Sequence, residues 1–214
     1  MNSLLLINTL LIFGLFSSPS LAANQNKTES NSKSNIGCKY SNGTKLKKLV
    51  SGGQTGVDRA ALDVALAYEN AQVLGGGWCP PGRVAEDGLI PNRYPNLKET
   101  PEDTSSRTSN VPRSQRTEWN VRDTDATLLL YLSIPNDPGT VATRYFCEQY
   151  GKPLMELHLN QDEHAKDITY LKVRRWLAEN QVESLNVAGP SERSQEGVYK
   201  ATYELLSKVL AKEI

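Results

Sequence analysis

Residues 50–63 read VSGGQTGVDRAALD. Val50 belongs to a short strand candidate, 46–51. Three glycines with Gln54 and Thr55 fill residues 52–56, and from Val57 the apolar positions Val57, Ala60, Ala61, Val64 and Tyr68 recur at helical spacing to residue 69. A strand that turns through glycine into a helix leaves the helix's first N–H groups unpaired and aimed into the loop. Those groups sit at the positive end of the helix dipole, and glycine keeps a Cβ out of a ligand's way. The stretch is therefore either a cradle for an anionic ligand or a tight turn capped by Thr55 or Asp58. Its spacing is neither GxGxxG nor the Walker pattern, and no lysine follows Gly56, which disfavours a triphosphate site.

Beyond this stretch, short apolar runs at 72–75, 126–133, 153–159 and 183–188 predict further strands, and 140–150, 165–180 and 192–212 repeat the helical spacing. Parallel strands need crossover connections and helices supply them, so the alternation predicts an α/β fold with a mostly parallel sheet covered on both faces. Ligands in such folds sit at the carboxyl ends of the strands.

The ends and the composition narrow the function. Of 214 residues, 24 are Lys or Arg and 24 are Asp or Glu, so the chain has no basic field for a nucleic acid partner. Residues 4–16 form an apolar run shorter than the ~20 residues of a membrane span, and Ser20-Leu21-Ala22 follows. Residues 1–22 read as a signal peptide with a mature start near Ala23, which places the protein in the periplasm or outside the cell, or in the cytoplasm if the leader does not work. Residues 23–44 are an Asn- and Ser-rich linker too poor in apolar residues to fold, which leaves 45–214 as the domain. Cys38, Cys79 and Cys147 have no metal-ligand spacing, so no metal site is expected. Cys79 serves as a nucleophile only if a base lies beside it. His158 falls in a strand candidate and His164 in a polar turn.

Two further segments concentrate functional side chains. Residues 75–95, GGGWCPPGRVAEDGLIPNRYP, read as one long loop carrying Trp78, Arg83, Glu86, Asp87, Arg93 and Tyr94. Arg83 offers a planar fork to a phosphate and Trp78 a stacking face. Glu86 and Asp87 can accept from a heterocycle or ribose, or form salt bridges with Arg83 and Arg93. Residues 116–125, RTEWNVRDTD, add Arg116, Glu118, Trp119, Asn120 and Asp123 ahead of the apolar strand candidate, either as a second rim or as a solvated helix anchored by Trp119.

VSGGQTGVDRAALD, GGWCPPGRVAEDGLIPNRYPNLKET, QRTEWNVRDTDATLLL, GTVAT, GKPL and LNVAGPSERS, in this order, resemble the family named "putative molybdenum carrier" over about residues 46–212. That family is similar to a circularly permuted form of the superfamily containing the LOG proteins. The resemblance implies a Rossmann-like three-layer sandwich and the binding of molybdenum cofactor (molybdopterin) or another small phosphorylated, nucleotide-like ligand. A homo-oligomer is a separate expectation. The resemblance makes Gly52, Gly53, Gln54, Thr55 and Gly56 the phosphate cradle, and Asp58 and Arg59 are candidate ligand contacts beside it. Trp78, Arg83, Glu86, Asp87, Arg116, Glu118, Trp119, Asn120 and Asp123 become its rim.

LOG-like phosphoribohydrolases carry PGGxGTxxE, and PGTVAT at 138–143 is the similar stretch here. Gly139 and Thr140 remain as ligand contacts, but Thr143 stands at the acidic position, where a hydroxyl cannot act as a carboxylate base. Binding without hydrolysis is the expectation. The alternative is hydrolysis of a nucleotide-like substrate with Glu86, Asp87, Glu118 or Asp123 as base. Residues 100–117, TPEDTSSRTSNVPRSQRT, depart from the family pattern in length and polarity, as does the leader.

Overall fold

The computed structural model describes residues 45–68, 73–159 and 163–211, all within the compact unit Ser41–Ile214. The leader and the linker to residue 44 lie outside the described residues. The chain runs β1 (Lys48–Val50), α1 (Val57–Ala67), β2 (Leu74–Cys79), a single 3-10 turn (Pro81–Arg83), β3 (Val84–Ala85), β4 (Gly88–Leu89) and β5 (Leu97–Glu99). It continues through α2 (Ser114–Arg122), β6 (Ala126–Tyr131), α3 (Pro138–Gln149), β7 (Leu154–His158), α4 (Glu163–Glu179), β8 (Ser184–Ala188) and α5 (Val198–Leu210).

Six strands form one sheet in the order β5-β2-β1-β8-β6-β7, and every pair in it is parallel. β3 and β4 make a separate antiparallel hairpin. β8, the last strand in the chain, inserts beside the first, with Val50 opposite Asn186. From β1 the chain winds outward to β2 and β5, whereas β6 and β7 lie on the far side of β8. The switch point of this sheet is therefore the β1–β8 boundary, where the loops after the two strands leave side by side.

Residues 126–130 of β6 are all buried, as expected for a strand covered on both faces. One layer packs α1, α4 and α5 on the sheet through Leu49, Val57, Val64, Leu128, Leu177, Leu185 and Leu206. α2 and α3 pack on each other through Val121, Ala142 and Phe146 to form the opposite layer. The result is the three-layer α/β sandwich expected from the alternating pattern.

Three expectations need correction. Residues 75–95 are not one loop: the glycine run extends β2, because a Cβ at Gly75 would lie 2.8 Å from the Ala65 Cβ of α1, and only a bare backbone lets that helix approach so closely. The hairpin and β5 then cover a small core of Leu62, Cys79, Ile90, Tyr94 and Leu97. α5 begins at Val198 rather than 192, since the polar residues before it bond to neighbouring loops and Gly197 turns left-handed at φ 84°. His164 lies in the first turn of α4 rather than in a polar turn.

Candidate functional site

The loops after β1, β8 and β6 meet at the carboxyl edge of the sheet. Val57 N–H donates to Pro190 O at 3.3 Å, and Glu192 N–H donates to Thr55 Oγ1 at 3.2 Å. A Cβ on Gly56 would lie 2.6 Å from Glu192 N, so the β8 loop rests directly on the glycine. Gln195, which sequence reasoning missed, ties in the third loop: its Oε1 accepts from Leu132 and Ser133 N–H at 2.7 and 3.1 Å, and its Nε2 donates to Ser133 O at 2.7 Å. An amide in a polar stretch carries no spacing signal that would have found it.

Within the β1 loop, Gln54 turns inward. Its Oε1 accepts from Thr55 N–H at 3.0 Å and Glu86 N–H at 2.9 Å, while its own N–H donates to Asp58 Oδ2 at 3.1 Å. Arg116 reaches from α2 to pair with Asp58 at 3.0 Å, and its guanidinium lies directly over the Gly52 backbone. Asp58 is buried, with 3 % of its side chain exposed. Burial pushes its carboxyl up against the opposing pull of Arg116 and of the hydrogen bonds from Gln54 and Ser51. Among the described residues, the N–H groups of Gly52, Gly53, Gly56 and Asp58 have no acceptor. The buried Arg116 Nε has none either. Buried backbone donors are almost always paired, so this cluster is a candidate anion site.

Three helices start from these three loops, and they differ in one respect. α3 is capped by Asp137, whose carboxylate accepts from Thr140 N–H at 3.0 Å and Thr140 Oγ1 at 2.7 Å. The start of α5 is filled by the Glu192 carboxylate, which accepts from Gly197 N–H at 2.6 Å and Tyr199 N–H at 2.9 Å. α1 has no side-chain cap at all. Neither Thr55 nor Asp58 caps it, so the capped-turn reading of residues 50–63 does not hold.

Thr55 Oγ1 donates instead to Glu86 in a very short hydrogen bond, and Glu86 also accepts from Ser191 Oγ at 2.8 Å and Arg193 N–H at 3.2 Å. Burial pushes the Glu86 carboxyl up, but these three donors together outweigh it and hold the group below its ordinary value. Asp87 takes both ends of the Arg59 guanidinium, at 2.5 and 2.7 Å, and that hydrogen bonding lowers its pKa. The pair thus fixes the β3–β4 hairpin to α1 and the β8 loop. The partners are not those expected: Arg93 pairs with Asp63 at 3.1 Å. Arg83 donates to the carbonyls of Leu97, Pro91 and Tyr94 at 3.1–3.3 Å, so its fork braces the 91–97 loop and is not presented to a phosphate.

The second rim separates into two structural clusters. Asn120 clamps the β2 backbone where β1 has ended, accepting from Trp78 N–H at 2.7 Å and donating to Trp78 O at 2.9 Å. Trp78 and Trp119 meet edge to face at 4.7 Å, Arg122 lies over Trp119, and Asp123 accepts from the Trp78 indole at 2.8 Å. Asp123 is held below its ordinary value chiefly by its hydrogen bonds with Arg122. Glu118 turns the other way and anchors the long 100–113 loop. It accepts from Ser105 at 2.5 Å and Tyr150 at 2.6 Å, and pairs with Arg107 at 3.2 Å. Thr143 donates to Gly139 O inside α3 at 3.0 Å.

Of the residues predicted as ligand contacts, Gly52, Gly53, Gly56, Asp58 and Arg116 converge on the open α1 start. Gln54, Thr55, Arg59, Glu86 and Asp87 form its wall. Cys79 is wholly buried, and burial raises its pKa, which makes it a core thiol. Among the described residues, no group of three His, Cys, Asp or Glu side chains is placed to hold a metal ion, and no helix is long and apolar enough to cross a membrane.

Comparison with known proteins supports the fold and the family. The model of the circularly permutated YpsA SLOG family matches residues 49–210. Among solved structures, the chain is similar to the "Putative molybdenum carrier protein" of Syntrophus aciditrophicus, with 36 % identity and a TM-score of 0.68 over 78 % of this chain and 97 % of that one. No curated protein gives a significant match.

Proposed function

Because the chain belongs to the circularly permutated YpsA SLOG family, we propose that it is a carrier or sensor that binds the phosphate of a small ligand at the open start of α1. One observation carries the reading. At the three loops that meet here, carboxylates accept from the starts of α3 and α5, whereas no side chain caps α1, and the N–H groups of Gly52, Gly53, Gly56 and Asp58 lie without an acceptor beside a guanidinium whose Nε is also unpaired. Backbone N–H groups, a helix dipole and an arginine are the donor set that recognises phosphate.

The ligand class is nucleotide-like, and molybdenum cofactor falls within it. The cradle fits the phosphate end of that cofactor. In molybdopterin the metal is carried by the pterin's own sulfur atoms, so the protein need supply no metal ligands. The chain's own residues would hold the phosphate with Gly52, Gly53 and Gly56 N–H and with Arg116.

Hydrolysis finds no support among its four carboxylate candidates. Glu86, Asp87, Glu118 and Asp123 each take at least two donors, and Glu86, Asp87 and Asp123 are drawn below their ordinary values, which weakens them as bases.

Calorimetry with phosphorylated and dephosphorylated forms of nucleosides and pterins tests the proposal, with an assay for released base and ribose phosphate run in parallel. Binding that requires the phosphate, without turnover, is expected. Gly52→Ala is the informative variant, because the new Cβ meets the Arg116 guanidinium and the Asp58 carboxylate and no backbone. It should weaken binding by about ten- to a hundredfold, the worth of a charge-assisted contact, measured per folded molecule. Multiple turnovers by the wild type, or unchanged affinity in Gly52→Ala, would overturn it.

A further inference from the structure

Glu192 was not among the residues singled out by sequence, and the phosphate reading does not use it. Its side chain nevertheless behaves as an anion bound within the protein. Both carboxylate oxygens accept from the start of α5, Oε1 from Gly197 N–H at 2.6 Å and Oε2 from Tyr199 N–H at 2.9 Å. This filled helix start adjoins the open one. Glu192 N–H donates to Thr55 Oγ1 in the α1 loop at 3.2 Å, and the backbone of residues 190–192 lies against Gly56.

Carboxylates stand at other positions along this edge as well. Asp137 fills the start of α3. Glu86 stands between the α1 and β8 loops, held by Thr55, Ser191 and the Arg193 N–H. Arg59, the nearest further cation on α1, is bound bidentately by Asp87. A ligand phosphate seated on residues 52–58 beside Arg116 thus meets free donors on its own side, with the Asp58 carboxylate there already held by Arg116 and Gln54 N–H, and further carboxylates around them.

We propose that Glu192 is a specificity-determining residue that limits the ligand to one phosphate. The inference rests on the phosphate reading of the α1 start and adds the number of phosphates it accepts. A second phosphate, joined to the first, would need the α5 donors, and it would have to expel a carboxylate that already makes two short hydrogen bonds there. Like charges placed together in a partly buried site repel, and the displaced carboxylate would lose its charge-assisted bonds as well.

The test uses the full chain, with inorganic phosphate and pyrophosphate as probes in competition calorimetry. Wild type should bind phosphate at least as tightly as pyrophosphate, although pyrophosphate carries more charge. Glu192→Gln keeps the side chain's shape and one acceptor, and it should raise pyrophosphate affinity by about tenfold or more while leaving phosphate affinity unchanged. Glu192→Asp, which keeps the charge, should retain the wild-type preference. Wild-type binding of pyrophosphate at least tenfold tighter than phosphate would overturn the proposal without any variant, and so would an unchanged ratio in folded Glu192→Gln. Either result leaves the phosphate reading intact. Binding of neither probe by the wild type would overturn both.

Discussion

At the scale of single residues, the cradle shows how neighbouring glycines can differ in tolerance. Gly53 has φ 80°, and a Cβ there would lie 2.9 Å from Ile90 Cδ1, inside the small core under the hairpin. Gly53→Val should therefore cost about 2–4 kcal/mol from left-handed strain and overpacking, read as a lowered urea midpoint. Gly52→Ala, whose Cβ meets the Arg116 guanidinium and the Asp58 carboxylate and no backbone, should lose affinity per folded molecule. Protonation separates two carboxylates of the same loop in a similar way. Glu86 has a folded-state pKa below its ordinary value, so its contribution is complete above the ordinary carboxylate range near pH ~4.3 and is lost as pH falls through the folded value. Asp58 is shifted upward by burial, so its ionisation opposes folding as pH rises above its ordinary value. Glu86→Gln should consequently melt below wild type at pH 7 and show a shallower decline on acidification, measured as Tm between pH 7 and pH 3.

At the scale of elements, side-chain amides and carboxylates join segments that backbone pairing does not. Asn120 is 2 % exposed and completes the β2 ladder beyond the end of β1. Asn120→Ala removes two hydrogen bonds and leaves a buried N–H and carbonyl of Trp78 without partners, a loss of about 2–4 kcal/mol in chemical denaturation. Asp63 on α1 has a comparable role, accepting from the hydroxyls of Tyr94 and Tyr199, each at 2.8 Å, so that α1, the 91–97 loop and α5 meet at one carboxylate. Burial is the first cause that pushes the Tyr94 hydroxyl up to about 12, and the Asp63 carboxylate adds to it. Both tyrosines therefore remain donors across the neutral range.

At the scale of the whole molecule, insertion of β8 between β1 and β6 places the site, because it sets the loops after the first and last strands side by side. Residues 1–22 raise a separate question of destination. We propose that they are removed on export, so that the protein made with its native N-terminus in a secretion-competent host begins at Ala23. Intact-mass analysis should show that start, and Met1 retained in soluble cytoplasmic protein would overturn it. Light scattering on the same material tests the expected homo-oligomer, and a monomer mass would remove that expectation.

The sequence by itself determined the layering. Alternating apolar runs and helical spacing specify a covered parallel sheet, and the GGQTG turn between β1 and α1 marks the edge where a ligand can sit, because these signals are local. It also presented most of the polar residues that surround the site. Which of them point toward the open start of α1 follows only from their partners in the folded chain. Arg83 and Arg116 look equivalent along the chain, yet one braces three loop carbonyls while the other crosses from α2 to lie over Gly52. Glu118 and Glu192 show the same division. The first looked like a ligand contact and anchors a loop, and the second drew no notice and fills a helix start. A side chain's role depends on which donors and acceptors the fold brings within hydrogen-bond reach. For this chain those partners lie on other elements, as far apart as Gly56 and Glu192, and no local pattern records them.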